Sequence, residues 1–379
     1  MTYWRLSLFY FCYFASLGAL VPYWGLYLSD LGFDALAIGQ LTSLLMVTKI
    51  LSPNLWGWLA DRSGRRLELV RGASLVSALV FMGVFWAREF WSLALVMVLF
   101  SFFWNASLPQ LEVITCNYLG VQIRRYASIR LWGSVGFILA VVGLGQLLEH
   151  RGTSLVPQVL VMLFLTIWLS SLLVPDAPSS HQEQQVAGLR ATLRRPEVLA
   201  FLVACFAQQA SHGAYYAFYS IYLAEQGYAK PLIGALWGTG VLVEVLTFLG
   251  MHQLLHRFGA RRLLLASLGL AVLRWLLIGA FPHQLPLLFL AQTLHAATFG
   301  TFHASAIHLV HHYFPGRLQG RGQALYASMS FGAGGALGTL VSGYVWEGIG
   351  PAAAFWVSAG GAALGGLIAW RWVDRNHRF

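Results

Sequence analysis

Five charged residues lie inside long apolar stretches of this 379-residue chain: Lys49, Glu112, Arg130, Glu244 and Arg274. A charge in the middle of a bilayer costs about 2.5–3.5 kcal/mol on insertion scales, so such a residue faces a partner or a water-filled cavity. A carboxylate and a guanidinium group placed there can pair with each other, bind a charged ligand or relay a proton. These five residues are therefore the first candidates for chemistry.

The spacing along the chain places Glu244 and Arg274 at a matching depth. Arg257 ends the apolar segment of Glu244, and Arg261 begins the apolar segment of Arg274. The two separations along the chain are equal (257 − 244 = 274 − 261). On adjacent antiparallel helices, both charges then lie roughly 20 Å from the same end of the membrane. We predict that they pair.

Glu112 and Arg130 flank another basic loop in the same manner, at roughly 10–15 Å from that end. Each half of the chain thus carries one candidate acid–base pair. Each pair could be a structural salt bridge, or it could line a central cavity and exchange partners when a substrate or a proton arrives. Lys49, which precedes Pro53, fits a snorkelling position as well as a cavity position.

Two histidines add polar chemistry to the tenth apolar segment. His295 and His303 lie eight positions apart, with Thr298 and Thr301 between them. An imidazole titrates near neutral pH and can carry a proton, although a membrane histidine can equally be a hydrogen-bonded packing residue. The spacing of the histidines does not match a metal site, and we predict none.

Several aromatic residues stand beside these polar positions and could form flat walls for a planar or sugar-like ligand, or could simply pack in the core. They are Trp104, Trp132, Tyr215, Tyr216 and Phe299.

The composition shows which elements position these residues. Hydrophobic residues make up 58% of the chain and charged residues 10%, against about 25% charged in soluble domains. Twelve segments reach the roughly 20 apolar residues that cross a bilayer. They are about 4–28, 35–60, 68–87, 90–119, 128–149, 155–175, 197–224, 231–256, 261–281, 285–313, 320–346 and 351–373. We predict an all-α membrane protein of twelve transmembrane helices in two six-helix, pseudo-symmetric bundles.

The distribution of charge sets the predicted orientation and excludes other function classes. Most of the 24 Lys and Arg residues lie in alternate loops or at the two ends, and only Arg88, Arg151 and Lys230 lie in the other loops. By the positive-inside rule, both termini are cytoplasmic. The formal charge of +10 is therefore a topology signal and not a nucleic-acid site. No soluble domain of useful size remains, so an enzyme is not expected.

The predicted domains follow from one polar segment. Residues 1–175 would form the first six-helix bundle and residues 197–379 the second. Residues 176–196 are rich in Ser, Gln and Pro and are predicted to be a cytoplasmic linker.

A loop motif, GWLADRSGRR, joins the second and third segments and has a weaker copy 195 positions later. Its predicted gating residues are Gly57, Asp61, Arg62, Gly64, Arg65 and Arg66. Asp61 can accept hydrogen bonds from arginines or a helix N-terminus when the cytoplasmic side is shut. A repeat of this length indicates two similar halves, as in transporters built from parallel repeats. Glycines concentrate in the fifth and eleventh segments, where they would let helices approach closely and slide.

The motif, the twelve segments and the two-half repeat resemble the major facilitator superfamily over essentially the whole chain. Within it, the chain is most similar to the bacterial 3-phenylpropionic acid permease group, which is related to lactose permease. The stretches that carry this resemblance are 130–137, 212–223, 240–245, 272–275 and 292–303.

The resemblance implies substrate contact by Glu112 and Arg130, and a place for Arg274 and His295 in the coupling network. The chain departs from the family at Thr298, where a proton-carrying glutamate is expected, and it lacks the acidic pair of the seventh helix. Glu244 is therefore the first candidate for carrying the proton, with His303 as a further member of the proton-coupling set.

These observations predict proton-coupled uptake of a small aromatic carboxylate, such as 3-phenylpropionate, by alternating access in the bacterial inner membrane. The partners would be the substrate, protons and the lipid bilayer, with no nucleic acid, and the protein would be a monomer. No cofactor is expected, because the proton gradient supplies the energy. The alternatives are a sugar or nucleoside proton symporter on the same fold and a non-transporting membrane sensor.

Overall fold

The computed structural model describes residues 2–175 and 188–373, which form helices and connecting turns without a β-strand. In chain order the α-helices are α1 (Thr2–Asp30), α2 (Ala35–Ser63), α3 (Arg66–Phe81), α4 (Phe90–Leu119), α5 (Tyr126–Arg151), α6 (Val156–Leu173), α7 (Leu189–Leu193), α8 (Pro196–Ser211), α9 (Gly213–Glu225), α10 (Lys230–Phe258), α11 (Ala260–Ala280), α12 (Leu285–Thr293), α13 (Phe302–Tyr313), α14 (Gln319–Ala327), α15 (Gly335–Gly348) and α16 (Pro351–Trp372). Most of the predicted linker, 176–187, lies outside the described residues.

Eleven helical stretches in the described part of the chain are long and apolar enough to cross a membrane. The predicted seventh segment, 197–224, consists instead of the shorter helices α8 and α9, which meet at His212. Eleven unbroken spans and one broken span account for the twelve predicted crossings. The chain is therefore an all-α, multi-pass membrane protein, as the sequence predicted.

Two spans contain a π-helical stretch, in which the helix widens by one residue per turn. The tenth span, Leu285–Tyr313, contains Ala296–Thr301 between α12 and α13. The eleventh span, Gln319–Gly348, contains Ser328–Gly334 between α14 and α15.

The repeat seen in the sequence recurs in the helix bounds. Helix α2 runs over Ala35–Ser63 and α10 over Lys230–Phe258, so both ends are displaced by the same number of positions (230 − 35 = 258 − 63). Lys49 and Glu244 are separated by the same offset (244 − 49). The two charges therefore occupy equivalent central positions in equivalent helices.

The chain divides into two compact units. The first holds α1, α3 to α6, the part of α2 from Leu51 onward and the start of α10 up to Gly238. The second holds the start of α2 up to Ile50, α7 to α9, the part of α10 from Thr239 onward and α11 to α16. The units thus assign parts of α2 and α10 differently from the predicted bundles 1–175 and 197–379, which stay a prediction.

Within the second unit, the start of α2 crosses α15 at a pair of glycines. A Cβ atom added to Gly39 would lie 2.8 Å from the Thr339 carbonyl oxygen and 2.9 Å from the Gly343 Cα. A side chain at either glycine would collide with backbone, so the sequence permits this close crossing only because both positions lack one.

Within the first unit, the start of α10 crosses α5 in the same way. A Cβ atom at Gly234 would lie 2.6 Å from the Val141 carbonyl oxygen, and one at Gly145 would lie 2.7 Å from the Lys230 carbonyl oxygen. Both crossings lie at the helix ends opposite the Asp61 loop.

Candidate functional site

The break between α8 and α9 brings polar residues into the interior of the second unit. His212 is fully buried, and its Nδ1 lies 2.8 Å from the Gln208 carbonyl oxygen. A Cβ atom at Gly213 would collide with the backbone of Gly338, so only glycine allows the chain to pass α15 here. Discontinuous membrane helices of this kind commonly line transporter binding sites.

Arg274 in α11 is the fully buried charge at the centre of this region. Its Nη1 donates to the Thr298 hydroxyl at 3.0 Å and lies 3.1 Å from His295 Nδ1. Its Nη2 donates to Gln292 Oε1 at 3.3 Å. The carbon of the guanidinium group lies 4.3 Å from the centre of the Tyr215 ring. Neutral acceptors and a ring face therefore hold the cation in place.

His295 links Arg274 to Glu244. The His295 Nε2 lies 3.2 Å from Glu244 Oε2, while the Nδ1 faces Arg274. Because a guanidinium group can only donate, Nδ1 must accept and the ring proton must sit on Nε2, directed at the carboxylate. The predicted Glu244–Arg274 pairing is thus indirect in the structure, because His295 stands between the two charges. The three residues form one continuous chain of polar contacts, and we call them the coupling triad.

Two glycines and the π-helical stretch make room for the coupling triad. A Cβ atom at Gly240 would lie 3.2 Å from the His295 Cβ, and one at Gly300 would lie 2.8 Å from the Glu244 Cγ. His295 immediately precedes the π-helical stretch Ala296–Thr301, which turns Thr298 toward Arg274. Single π-helical turns are frequent at functional sites.

Four buried polar atoms around the coupling triad have no hydrogen-bond partner among the described residues. They are Arg274 Nε, Gln292 Nε2, Gln208 Oε1 and His212 Nε2. Leaving such an atom unpaired costs about 1–3 kcal/mol, so each one is a candidate for binding water or a polar group of a ligand.

Aromatic residues predicted to contact substrate surround the same region. The Phe299 ring stacks on the His295 ring with centroids 5.4 Å apart. Tyr215 donates to Gln292 Oε1 at 2.9 Å, and the Tyr216 ring lies 5.7 Å from the His212 ring. The structure therefore brings Tyr215, Tyr216 and Phe299 together with the coupling triad.

His303 lies further along the tenth span. Its Nδ1 is 3.0 Å from the Tyr326 hydroxyl, and its ring lies 5.9 Å from that of Phe331. Phe331 also contacts Phe299, at 6.0 Å between ring centroids. His303 thus connects to the coupling triad through aromatic packing.

The predicted Glu112–Arg130 ion pair is not formed within the described residues. The Arg130 guanidinium carbon lies 3.8 Å from the centre of the Phe14 ring, and Glu112 accepts a hydrogen bond from the Tyr126 hydroxyl at 3.3 Å. The two charges interact electrostatically at longer range. Sequence spacing predicts a similar depth for the two residues, but it does not predict which way each side chain points around its helix.

The two tryptophans predicted to contact substrate, Trp104 and Trp132, pack on other aromatic residues of the first unit. Trp104 is buried and stacks on Tyr13 with centroids 5.0 Å apart, which is a core position. Trp132 donates to the Tyr3 hydroxyl at 3.2 Å and packs on Trp4, at the first turn of α1. Neither contact includes Glu112 or Arg130.

The loop motif is held within its own unit. Arg66 forms an ion pair with Asp61 and also donates to Gln110 of α4. Arg65 lies 3.6 Å from Glu68, and Gly64 adopts φ +68°, which allows the tight turn after α2. A Cβ atom added to Gly57 would face Gln110, and the Arg62 guanidinium group lies over the Trp58 ring. Asp61 is 72% exposed and is available for further partners.

The comparisons with known proteins decide the family. The MFS_1 like family matches residues 3–357. This chain belongs to that family, within the major facilitator superfamily. It is 31% identical to the probable 3-phenylpropionic acid transporter of Escherichia coli (strain K12), over 93% of each chain. It is 29% identical to the maltose permease of Geobacillus stearothermophilus, over 90% of this chain and 86% of the relative.

The solved structures agree on the fold of this MFS_1-like transporter. The crystal structure of the nucleoside transporter NupG matches it with a TM-score of 0.85 at 20% identity, covering 100% of both chains. At this identity the likeness shows the fold alone. Because the family and its relatives are membrane transporters, the protein is a transporter of small molecules and not an enzyme. None of these relatives supports the non-transporting sensor.

Several residues around the coupling triad were missed in the sequence. Gln208, Gln292 and His212 were not identified as site residues, although each is a buried polar residue in an apolar segment. The adjacent His212 and Gly213 were the available signal for the break in the seventh span of this transporter.

Proposed function

We propose that this transporter takes up a small aromatic carboxylate, such as 3-phenylpropionate, together with a proton. The observation that carries the proposal is the coupling triad, in which Glu244, His295 and Arg274 are joined through the two nitrogens of one imidazole. The probable 3-phenylpropionic acid transporter, 31% identical over nearly the whole chain, supports this substrate class.

The coupling triad supplies a route for the proton. When Glu244 is ionised, its carboxylate holds the Nε2 proton of His295, and Nδ1 of the same ring faces Arg274. When a proton neutralises Glu244, the negative charge beside His295 is lost. The positive charge of Arg274 is then no longer balanced, and it attracts an anion. Arrival of the anionic substrate and arrival of the proton therefore favour each other.

The charge and the ring of this substrate each have candidate partners among the described residues. Arg130 or Arg274 would grip the carboxylate as a charge-assisted fork. The rings of Tyr215, Tyr216 and Phe299 would hold the aromatic part of the molecule. One anion and one proton carry no net charge together, which lowers the cost of moving them across the bilayer.

Alternating access requires ends that open and close in turn. The glycine crossings of α2 with α15 and of α10 with α5 seal their helices at the end opposite the Asp61 loop. We propose that these crossings part in the other state. In that state, Asp61 would give up part of its bonding with Arg66. It would form other contacts that keep the end of the helices at the Asp61 loop shut.

Proton-driven uptake into membrane vesicles tests the proposal. We expect wild-type vesicles to accumulate 3-phenylpropionate when a proton gradient is imposed, and Glu244→Gln vesicles to equilibrate it without accumulation. Glu197→Gln is the matched control, because Glu197 is paired with Arg195 at the start of α8, away from the coupling triad. Unchanged accumulation in Glu244→Gln would remove Glu244 from the coupling mechanism.

A sugar or nucleoside is the second candidate substrate class. The maltose permease at 29% identity and a putative nucleoside transporter of Escherichia coli (strain K12) at 26% favour it. Glu112 would then accept hydrogen bonds from substrate hydroxyls. A competition panel decides between the two classes. Unlabelled aromatic acids, maltose and nucleosides are each added to uptake of labelled 3-phenylpropionate, and only compounds that share its site reduce that uptake.

A further inference from the structure

Lys49 occupies the centre of a membrane-crossing helix. It lies at the midpoint of α2, equally far along the chain from Ala35 and from Ser63 (49 − 35 = 63 − 49). The Cα atom of Lys49 therefore lies about 15 Å from either edge of the hydrocarbon layer. An extended lysine side chain is much shorter than that distance, so the ammonium group cannot reach the membrane interface by snorkelling.

The exposed side of α2 shows that Lys49 points away from lipid. The large apolar residues exposed on this helix are Val47, Leu51, Leu55 and Trp58, whose spacing forms one stripe. At about 100° per residue, Lys49 lies about 165° around the helix from the centre of that stripe. It is itself only partly accessible.

The neighbours of Lys49 on α2 pack against the eleventh span. Ile50 contacts Gly332 in the π-helical stretch, with its Cγ1 2.6 Å from the Cβ position of that glycine. Met46, one turn earlier, contacts Gly335 through its Cγ at 3.4 Å from the Cβ position. Lys49 lies between these two contacts along the helix, so it belongs to the interior of the second unit.

Among the residues that the structure describes, Lys49 forms no ion pair and no hydrogen bond. The other interior cations differ: both Nη atoms of Arg274 are engaged, and Arg130 lies on Phe14 within the field of Glu112. A charge held inside the membrane without a counter-ion is costly, and that cost is removed when an anion binds.

The repeat adds an independent observation. The position equivalent to Lys49 in α10 is Glu244, the acid of the coupling triad. One half of the repeat thus carries the proton-accepting charge, and the other carries an opposite charge at the same depth, which has no partner among the described residues.

We propose that Lys49 binds the carboxylate of the transported anion and gives the site its preference for acids over neutral molecules. The inference rests on the proposed function, whose substrate is an aromatic carboxylate. An ammonium group offers a compact charge with three donors, which suits a carboxylate that must be bound and then released. Before Glu244 takes up its proton, Arg274 stays engaged with His295, Thr298 and Gln292, so Lys49 is the cation that meets the anion first.

Equilibrium binding to the purified protein tests this assignment without involving transport. The probes are 3-phenylpropionate and its neutral analogue 3-phenylpropionamide. We expect the wild type to bind the acid at least about tenfold more tightly, a difference of about 1.4 kcal/mol. Lys49→Gln should bind both probes alike, and Lys49→Arg should keep the preference. Lys230→Gln, which alters the only other lysine of the chain, is the matched control and should behave as the wild type.

The variant Lys49→His allows the charge at this position to be changed by pH within a single protein. Because an imidazole is charged at pH 5.5 and neutral at pH 8, the preference for the acid should be present at the lower pH and lost at the higher pH, relative to the wild-type profile. A preference that persists in Lys49→Gln, or that does not change with pH in Lys49→His, would overturn the role of Lys49 while leaving uptake of the acid intact. A wild type that neither binds nor transports the acid would instead overturn the proposed function, and the ligand of Lys49 with it.

Discussion

At the scale of residues, the coupling triad depends on the geometry of a planar cation. Arg274 directs two nitrogens to three different partners, His295, Thr298 and Gln292. A lysine keeps the charge but cannot satisfy this fork. Each hydrogen bond to a charged group contributes about 1.5–3 kcal/mol, so we expect Arg274→Lys to reduce the uptake rate by about tenfold or more. Initial uptake rates at equal amounts of membrane protein measure this, and an unchanged rate would contradict the role of the fork.

His295 is predicted to separate coupling from transport. In His295→Gln, the side chain can still hydrogen-bond, but it cannot join Glu244 to Arg274 through the two nitrogens of one rigid ring. We expect exchange of labelled for unlabelled substrate across the membrane to continue, while accumulation driven by a proton gradient is lost. Measuring exchange and accumulation in the same vesicles checks this. Loss of both would mean that His295 is required for binding and not only for coupling.

At the scale of elements, glycines set how closely the helices of the second unit approach. A methyl group at Gly300 would lie 2.8 Å from the Glu244 Cγ, whereas one at Gly360 of α16 meets nothing within 4 Å. We expect Gly300→Ala to displace Glu244, to weaken proton-driven accumulation and to cost about 1–3 kcal/mol of stability through overpacking. Thermal unfolding and uptake measure the two effects, with Gly360→Ala as the matched control. Equal behaviour of the two variants would contradict the packing argument.

The element scale also shows what the sequence could predict. Hydropathy and charge predicted the spans, because both follow from the cost of burying polar groups in lipid. The matching depth of Glu244 and Arg274 followed from the helix rise, and both residues contact His295. The Glu112–Arg130 pair was wrong because depth does not fix the rotation of a helix about its axis. The break at His212 and the π-helical stretches depend on tertiary packing, such as that of Gly213 on Gly338, which a single sequence does not display.

At the scale of the whole molecule, alternating access requires the contacts opposite the Asp61 loop to open during each cycle. The Ala35 backbone N–H donates to Glu347 at 3.2 Å beside the Gly39–Gly343 crossing. We expect Ala35→Cys with Glu347→Cys, joined by a short bifunctional maleimide, to stop uptake. The singly substituted variants treated with the same reagent should retain it. Full uptake by the cross-linked protein would contradict the gating role of this crossing.

We propose that the coupling triad ties movement of the substrate to movement of a proton. Recording the external pH of lightly buffered, de-energised vesicles when 3-phenylpropionate is added measures this coupling. We predict that the medium of wild-type vesicles becomes more alkaline as protons enter with the anion. Glu244→Gln vesicles should take up the substrate to equilibrium without this change. Alkalinisation of equal size in both preparations would contradict the account.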